Sequence, residues 1–138
     1  MLVRNHYDQD YIDACRTRVA AQVAAYRDVK ATASDAAIDA FEPLFFNNLV
    51  LVLDNLFCHR QRGMEGKDGN PLNEVRVLCT SLMENGGTLV ADRTIKLKPA
   101  DSVLGYEAGD EIRLDEDGFV RLADGFFAEI ERRFGGSE

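Results

Sequence analysis

Apolar residues recur at intervals of three and four along most of this chain, the mark of helices with one buried face. Between residues 8 and 28 the stripe is Ile12, Cys15, Val19, Val23 and Tyr26, which predicts a first helix over 8–28. Asp8 and Asp10 suit the positive end of its dipole. Ser34 can cap a short helix over 35–41. Pro43 breaks a helix interior but is tolerated in a first turn, so the pattern predicts a bend near Glu42 and a new helix over 43–61. On a helical wheel Phe45, Leu49, Val52, Leu53, Leu56 and Phe57 form one broad face, with Phe46 and Val50 at its flank. That arc is wide enough for two neighbours and predicts the central helix of the core.

Asn70-Pro71 is a strong helix start, since Asn70 can cap and Pro71 gives up an N–H with no partner in any case. Leu72, Val75, Leu78, Cys79 and Leu82 follow as a stripe, and Asn85-Gly86-Gly87 stops a helix over 71–85. From 88 to 114 the period changes to alternation, broken by Pro99, Gly105 and Gly109. This predicts an extended segment, with a small hairpin pairing 94–97 with 111–114. Asp115 then caps a last helix over 116–134, carrying Phe119, Leu122, Phe126, Phe127, Ile130 and Phe134. Gly125 inside it points to close packing. The fold class is mainly α: one domain over 1–138, a bundle of about four helices with a minor β-hairpin or extended segment before the last.

With 138 residues the chain is long enough for a real core without staples. The net charge is −8, and Asp101 to Asp117 holds seven acids against Arg113 alone. That balance repels phosphate backbones and anionic bilayers, so neither nucleic acid nor membrane is an expected partner. The start, MLVRNHYDQD, has no apolar signal core, and Cys15, Cys58 and Cys79 form no CxxC. Buried free thiols in a reducing cytoplasm follow. The apolar stripes slightly outnumber what three neighbours require, which admits a homodimer; exposure of Phe46, Val50 or Phe127 would support it.

Chemistry concentrates in RQRGMEGKDGNPLNEVRVLCT, residues 60–80. Arg60, Arg62 and Lys67 supply positive charge beside a helix start whose N–H groups receive anions, with Glu65, Asn70 and Asn73 among them. The reading is a helix–loop–helix junction binding a small anionic ligand or a protein partner. The bland counterpart is a rigid connection whose acids neutralise those bases. A second alternative is a hydrolase- or lyase-like enzyme with His59 as base, oriented by Asp54, Glu65 or Glu74 across antiparallel helices. A metal would have to draw on His59, Asp54, Cys58, Glu65 and Glu74, whose spacing matches no metal motif, so no metal or cofactor is expected. The segment LKPADSVLGYEAGDEIRL resembles the hairpin element of swapped-hairpin transcription factors of the AbrB kind. Those bind DNA through basic groups, whereas Asp101, Glu107, Asp110 and Glu111 stand here, so no function is carried over.

Overall fold

Four helices make up most of the computed structural model, which describes residues 3–135. They are α1 (Gln9–Thr32), α2 (Asp35–Leu56), α3 (Pro71–Glu84) and α4 (Glu116–Phe134). The stripe Ile12, Cys15, Val19, Val23 and Tyr26 is the buried face of α1. α1 runs on past residue 28 and stops only where Ser34 begins the next helix by accepting a bond from Ala37 N at 3.2 Å.

α2 corrects the expected break at Pro43, which lies inside one continuous helix. Proline removes a backbone donor and costs about 3 kcal/mol in a helix interior. Here the carbonyl it strips of a partner belongs to exposed Asp39, where water can satisfy it. Ile38 before it and Phe46, Leu49, Val50 and Leu53 after it share one buried face, which a break would split. The helix also ends at Leu56 rather than 61. Phe57 leaves helical geometry with all of its surface buried, its ring meeting Tyr7 edge-on at 4.9 Å and Phe126 at 5.8 Å.

α3 starts as expected, with Asn70 Oδ1 accepting from Leu72 N (3.0 Å) and Asn73 N (3.4 Å). It stops where Gly86 and Gly87 take φ of 63° and 84°, a region glycine enters without steric cost. The pairing of 94–97 with 111–114 does not form. Residues 87–89 meet 109–112 instead, through Leu89 N to Asp110 O (2.8 Å), Gly109 N to Leu89 O (2.9 Å) and Ile112 N to Gly87 O (2.8 Å). Only a single antiparallel bridge, Thr88 with Glu111, results. One side chain of α2 continues the bonding of this extended segment: Asn47 donates to Ile112 O (2.8 Å) and accepts from Leu114 N (3.1 Å). Ile95 is buried elsewhere, and Lys96 N bonds Lys67 O at 2.6 Å.

α4 touches the other three helices, and α3 packs mainly on α2 and α4. The central position expected of the second helix is thus shared with α4, whose six predicted apolar residues are all buried. Gly125 lets the start of α3 lie close against α4, since a Cβ there would lie 3.0 Å from Pro71 Cγ. Gly125→Val is expected to cost about 1–3 kcal/mol, the range for overpacking, because the proline ring has little freedom to retreat. Urea unfolding of the variant checks this. Phe46, Val50 and Phe127 lie in the core at 0, 0 and 2 % exposure, so the support sought there for a homodimer is absent.

Candidate functional site

The junction after α2 folds inward. Arg60 is 4 % exposed, its guanidinium lying over the Phe126 ring at 5.4 Å. Nη1 donates to Phe57 O at 3.2 Å. Nη2 stands 2.9 Å from Asp54 Oδ1, an ion pair not aligned as a hydrogen bond. Nε lies 3.4 Å from Glu65 Oε1. Glu65, with none of its surface exposed, takes a bidentate fork from Arg76, with Nε at 2.9 and 3.0 Å and Nη2 at 2.6 Å. Asp54, Arg60, Glu65 and Arg76 thus alternate in sign and sum to zero. Low dielectric makes such a network strong when complete and costly when broken.

The loop between bonds largely to itself, although the buried Asn73 Oδ1 has no hydrogen-bond partner among the described residues. Asn73 Nδ2 donates to Asp68 O (2.8 Å) and Gly66 O (3.2 Å), and Arg62 Nη1 donates to Gly66 O (3.0 Å). Asn70 Nδ2 donates to Asp68 Oδ1 at 2.6 Å, the largest cause holding that carboxyl below its ordinary range. Lys67 is exposed. Glu74 faces another element altogether: its carboxylate accepts from Val103 N (2.8 Å) and Leu104 N (3.0 Å). Burial nevertheless pushes its pKa up. The structure brings Asp54, Arg60, Glu65 and Asn73 to one junction, where Arg60, Glu65 and Asn73 are buried and Asp54 is half-buried.

His59 is exposed and belongs to a different cavity. The N-terminal strap folds back along residues 59–61: Arg4 N donates to His59 O, and Gln61 N to Arg4 O, both at 2.7 Å. Tyr7 N donates to Phe134 O at 2.8 Å, and Tyr11 Oη to Leu56 O at 2.5 Å. Between strap and helix end lies a cavity of about 430 Å³, walled by Arg4, His6, Tyr7, Asp8, Tyr11, Asn55, Leu56, Cys58 and His59. Both histidines of the chain line it. His6 Nε2 stands 3.4 Å from Asp8 Oδ1. Tyr7 is only 6 % exposed, and its hydroxyl finds no hydrogen-bond partner among the described residues. Burial raises the pKa of Tyr7 and pushes that of Tyr11 up to about 12, so both phenols stay protonated donors.

None of Asp54, Glu65 and Glu74 lines this cavity with His59, so the oriented base imagined across the junction is not assembled there. Among the described residues no group of three or more His, Cys, Asp or Glu is placed to hold a metal ion. The cysteines are free thiols, but only Cys15 is buried; Cys79 is half-buried, and Cys58, expected inside a helix, is exposed beyond its end. Arg4, His6, Tyr7, Asp8 and Tyr11 carry no spacing that predicts a site. They meet residues 55–59 only because the strap crosses some fifty positions of sequence to reach them. No family model, curated protein or solved structure matches the chain.

Proposed function

We propose that this protein binds a small anionic ligand, and that the site is the cavity between the N-terminal strap and the end of α2 rather than the loop at 62–70. The observation that carries the reading is convergence at one hollow: Arg4, His6 and His59 line it beside Tyr7 and Tyr11. Arg4 offers a fork suited to carboxylate or phosphate, and the imidazoles offer N–H donors. Tyr7, Tyr11 and Leu56 supply an apolar wall for the body of such a molecule, the mix typical of small-ligand sites. Asp8 on the rim favours a ligand that also carries a hydroxyl or amine. The buried network of Asp54, Arg60, Glu65 and Arg76 is the scaffold that holds residues 57–61 in place. Three free thiols suit a reducing compartment such as the cytoplasm.

The test is a thermal-shift panel of phosphate monoesters and aromatic carboxylates on the full chain. A ligand at a hundred times its Kd is expected to raise Tm by about 5–10 °C. Arg4→Ala and His59→Ala are expected to abolish the shift, while Arg62→Ala and Lys67→Ala leave it. A shift lost with Arg62 or Lys67 instead returns the site to the junction, and no shift from any member of the panel removes the reading.

A further inference from the structure

A second hollow, of about 210 Å³, lies between α3 and the segment 89–108. Val77 of α3, Leu89, Ile95, Leu97 and Pro99 give it apolar walls, and Val77, Leu89 and Ile95 are buried. Tyr106 adds a half-buried ring. Arg113 N donates to its hydroxyl at 2.9 Å, and burial raises its pKa, so the phenol stays neutral. Asp92 and Glu107 are both exposed and line the same hollow. The bonds between residue 89 and residues 109–110 bring their two stretches of chain side by side. Asp92 Oδ1 accepts from Thr94 N at 2.7 Å and from Thr94 Oγ1 at 2.8 Å. Those bonds hold its carboxyl below the ordinary range, so it is ionised at neutral pH. Among the described residues no Lys or Arg lines the hollow. Lys96 and Lys98 alternate with the lining residues Ile95 and Leu97, and Arg62, the cation acting on Asp92, donates to Gly66 O at 3.0 Å.

We propose that this hollow binds a small apolar cation, an amine carried on a phenyl-sized body, with the ammonium held between Asp92 and Glu107. Size, walls and charge agree on that class. A cavity of roughly 150 Å³ takes up benzene. The space here, about 210 Å³, therefore holds a ring with a short arm. The aliphatic walls draw the body in by removing its apolar surface from water. The two carboxylates are exposed, so an ammonium beside them keeps part of its hydration and avoids the cost of full burial. The surrounding field has the same sign. Asp101 to Asp117 carries seven acids against Arg113 alone, and this segment supplies Tyr106 and Glu107 to the hollow. Such a field concentrates cations at the mouth and repels carboxylates and phosphates. A neutral molecule of the same shape fits the walls but leaves both carboxylates unused. The hollow shares no residue with the Arg4–His59 cavity, so the two sites select ligands of opposite charge independently of one another.

The experiment is a titration of the full chain, labelled with nitrogen-15 and followed by amide NMR at neutral pH. The probes are 2-phenylethylamine and its neutral and anionic counterparts, 2-phenylethanol and phenylacetate. The amine is expected to move the amides of Val77, of 89–98 and of 106–108, and to bind about tenfold more tightly than the alcohol, the product of two exposed ion pairs. Phenylacetate is expected to move none of these amides. Asp92→Asn and Glu107→Gln are each expected to weaken the amine about two- to fivefold and to leave the alcohol unchanged. Asn keeps the acceptor that Thr94 uses, so the turn at 92–94 is retained. Added salt is expected to narrow the gap between amine and alcohol. Ala91→Phe, at an exposed lining position, is expected to abolish binding of both. The proposal is overturned if the amine leaves these amides in place, if its shifts centre on another part of the fold, or if amine and alcohol bind equally. Amine affinity unchanged in both carboxylate variants, or undiminished in Ala91→Phe, overturns it as well.

Discussion

Replacing Glu65 by alanine is expected to destabilise the protein by about 3–5 kcal/mol, the cost of stripping one partner from a buried ion pair. Two arginines lose a partner at once. The Arg76 side chain is 29 % exposed and can turn to water, but that of Arg60 is 1 % exposed and cannot. Arg60 would keep only Asp54 and the Phe57 carbonyl against its full desolvation cost. Arg76→Ala is therefore expected to cost less than Glu65→Ala, because Glu65 retains Arg60. Urea unfolding of the two variants against the wild type reads the order directly. If they cost the same, or if Glu65→Ala costs under about 1 kcal/mol, as at an exposed pair, the network does not hold residues 57–61 in place.

The second large effect belongs to Glu74. Its two carboxylate oxygens satisfy the backbone donors of Val103 and Leu104 and so pin the turn at 99–105 onto α3. Glu74→Ala strands both donors and is expected to cost about 2–4 kcal/mol. Glu74→Gln keeps one acceptor oxygen and should cost about half as much. Their pH dependence separates two opposing causes. Burial, the larger, raises the Glu74 pKa above its ordinary 4.5, while the bonds from Val103 and Leu104 and the nearby Arg121 lower it. A carboxyl whose folded pKa lies above its unfolded one binds protons more readily in the folded state, so its contribution to stability grows as pH falls through the folded value and levels off below the unfolded one. The stability advantage of wild type over Glu74→Gln is thus expected to be larger near pH 4.5 than at neutral pH. An advantage that shrinks on acidification would mean that the hydrogen bonds outweigh burial.

Much of the fold was legible because its signals are local. Ser34, Asn70 and Asp115 each cap through their own side chain, as their position before an apolar stripe implies. The stripes of α1 and α4 are buried residue for residue. The misses are also instructive. Pro43 reads as a break because propensity is local, whereas the continuity of Ile38 with Phe46 and Leu49 on one face is a matter of packing. The hairpin between 94–97 and 111–114 is absent because Asn47, distant in sequence, takes the Ile112 carbonyl and the Leu114 N–H, while Lys96 N goes to Lys67 O.

The candidate site divides along the same line. Periodicity and cap chemistry by themselves determined the helical class, the helix starts after Ser34, Asn70 and Asp115, the end of α3 at its glycines and the gathering of charge after residue 54, but not the continuity of α2 through Pro43. Both act through neighbours three or four positions apart, which every helix brings together. Only the tertiary structure decided that Arg60 and Glu65 turn inward while His59 turns outward, that the strap from Arg4 to Tyr11 builds a cavity beside it, and that the outer face of α2 is left bare. Those outcomes depend on which distant surfaces exclude water from one another, and burial of that kind leaves no mark in the order of residues along a chain.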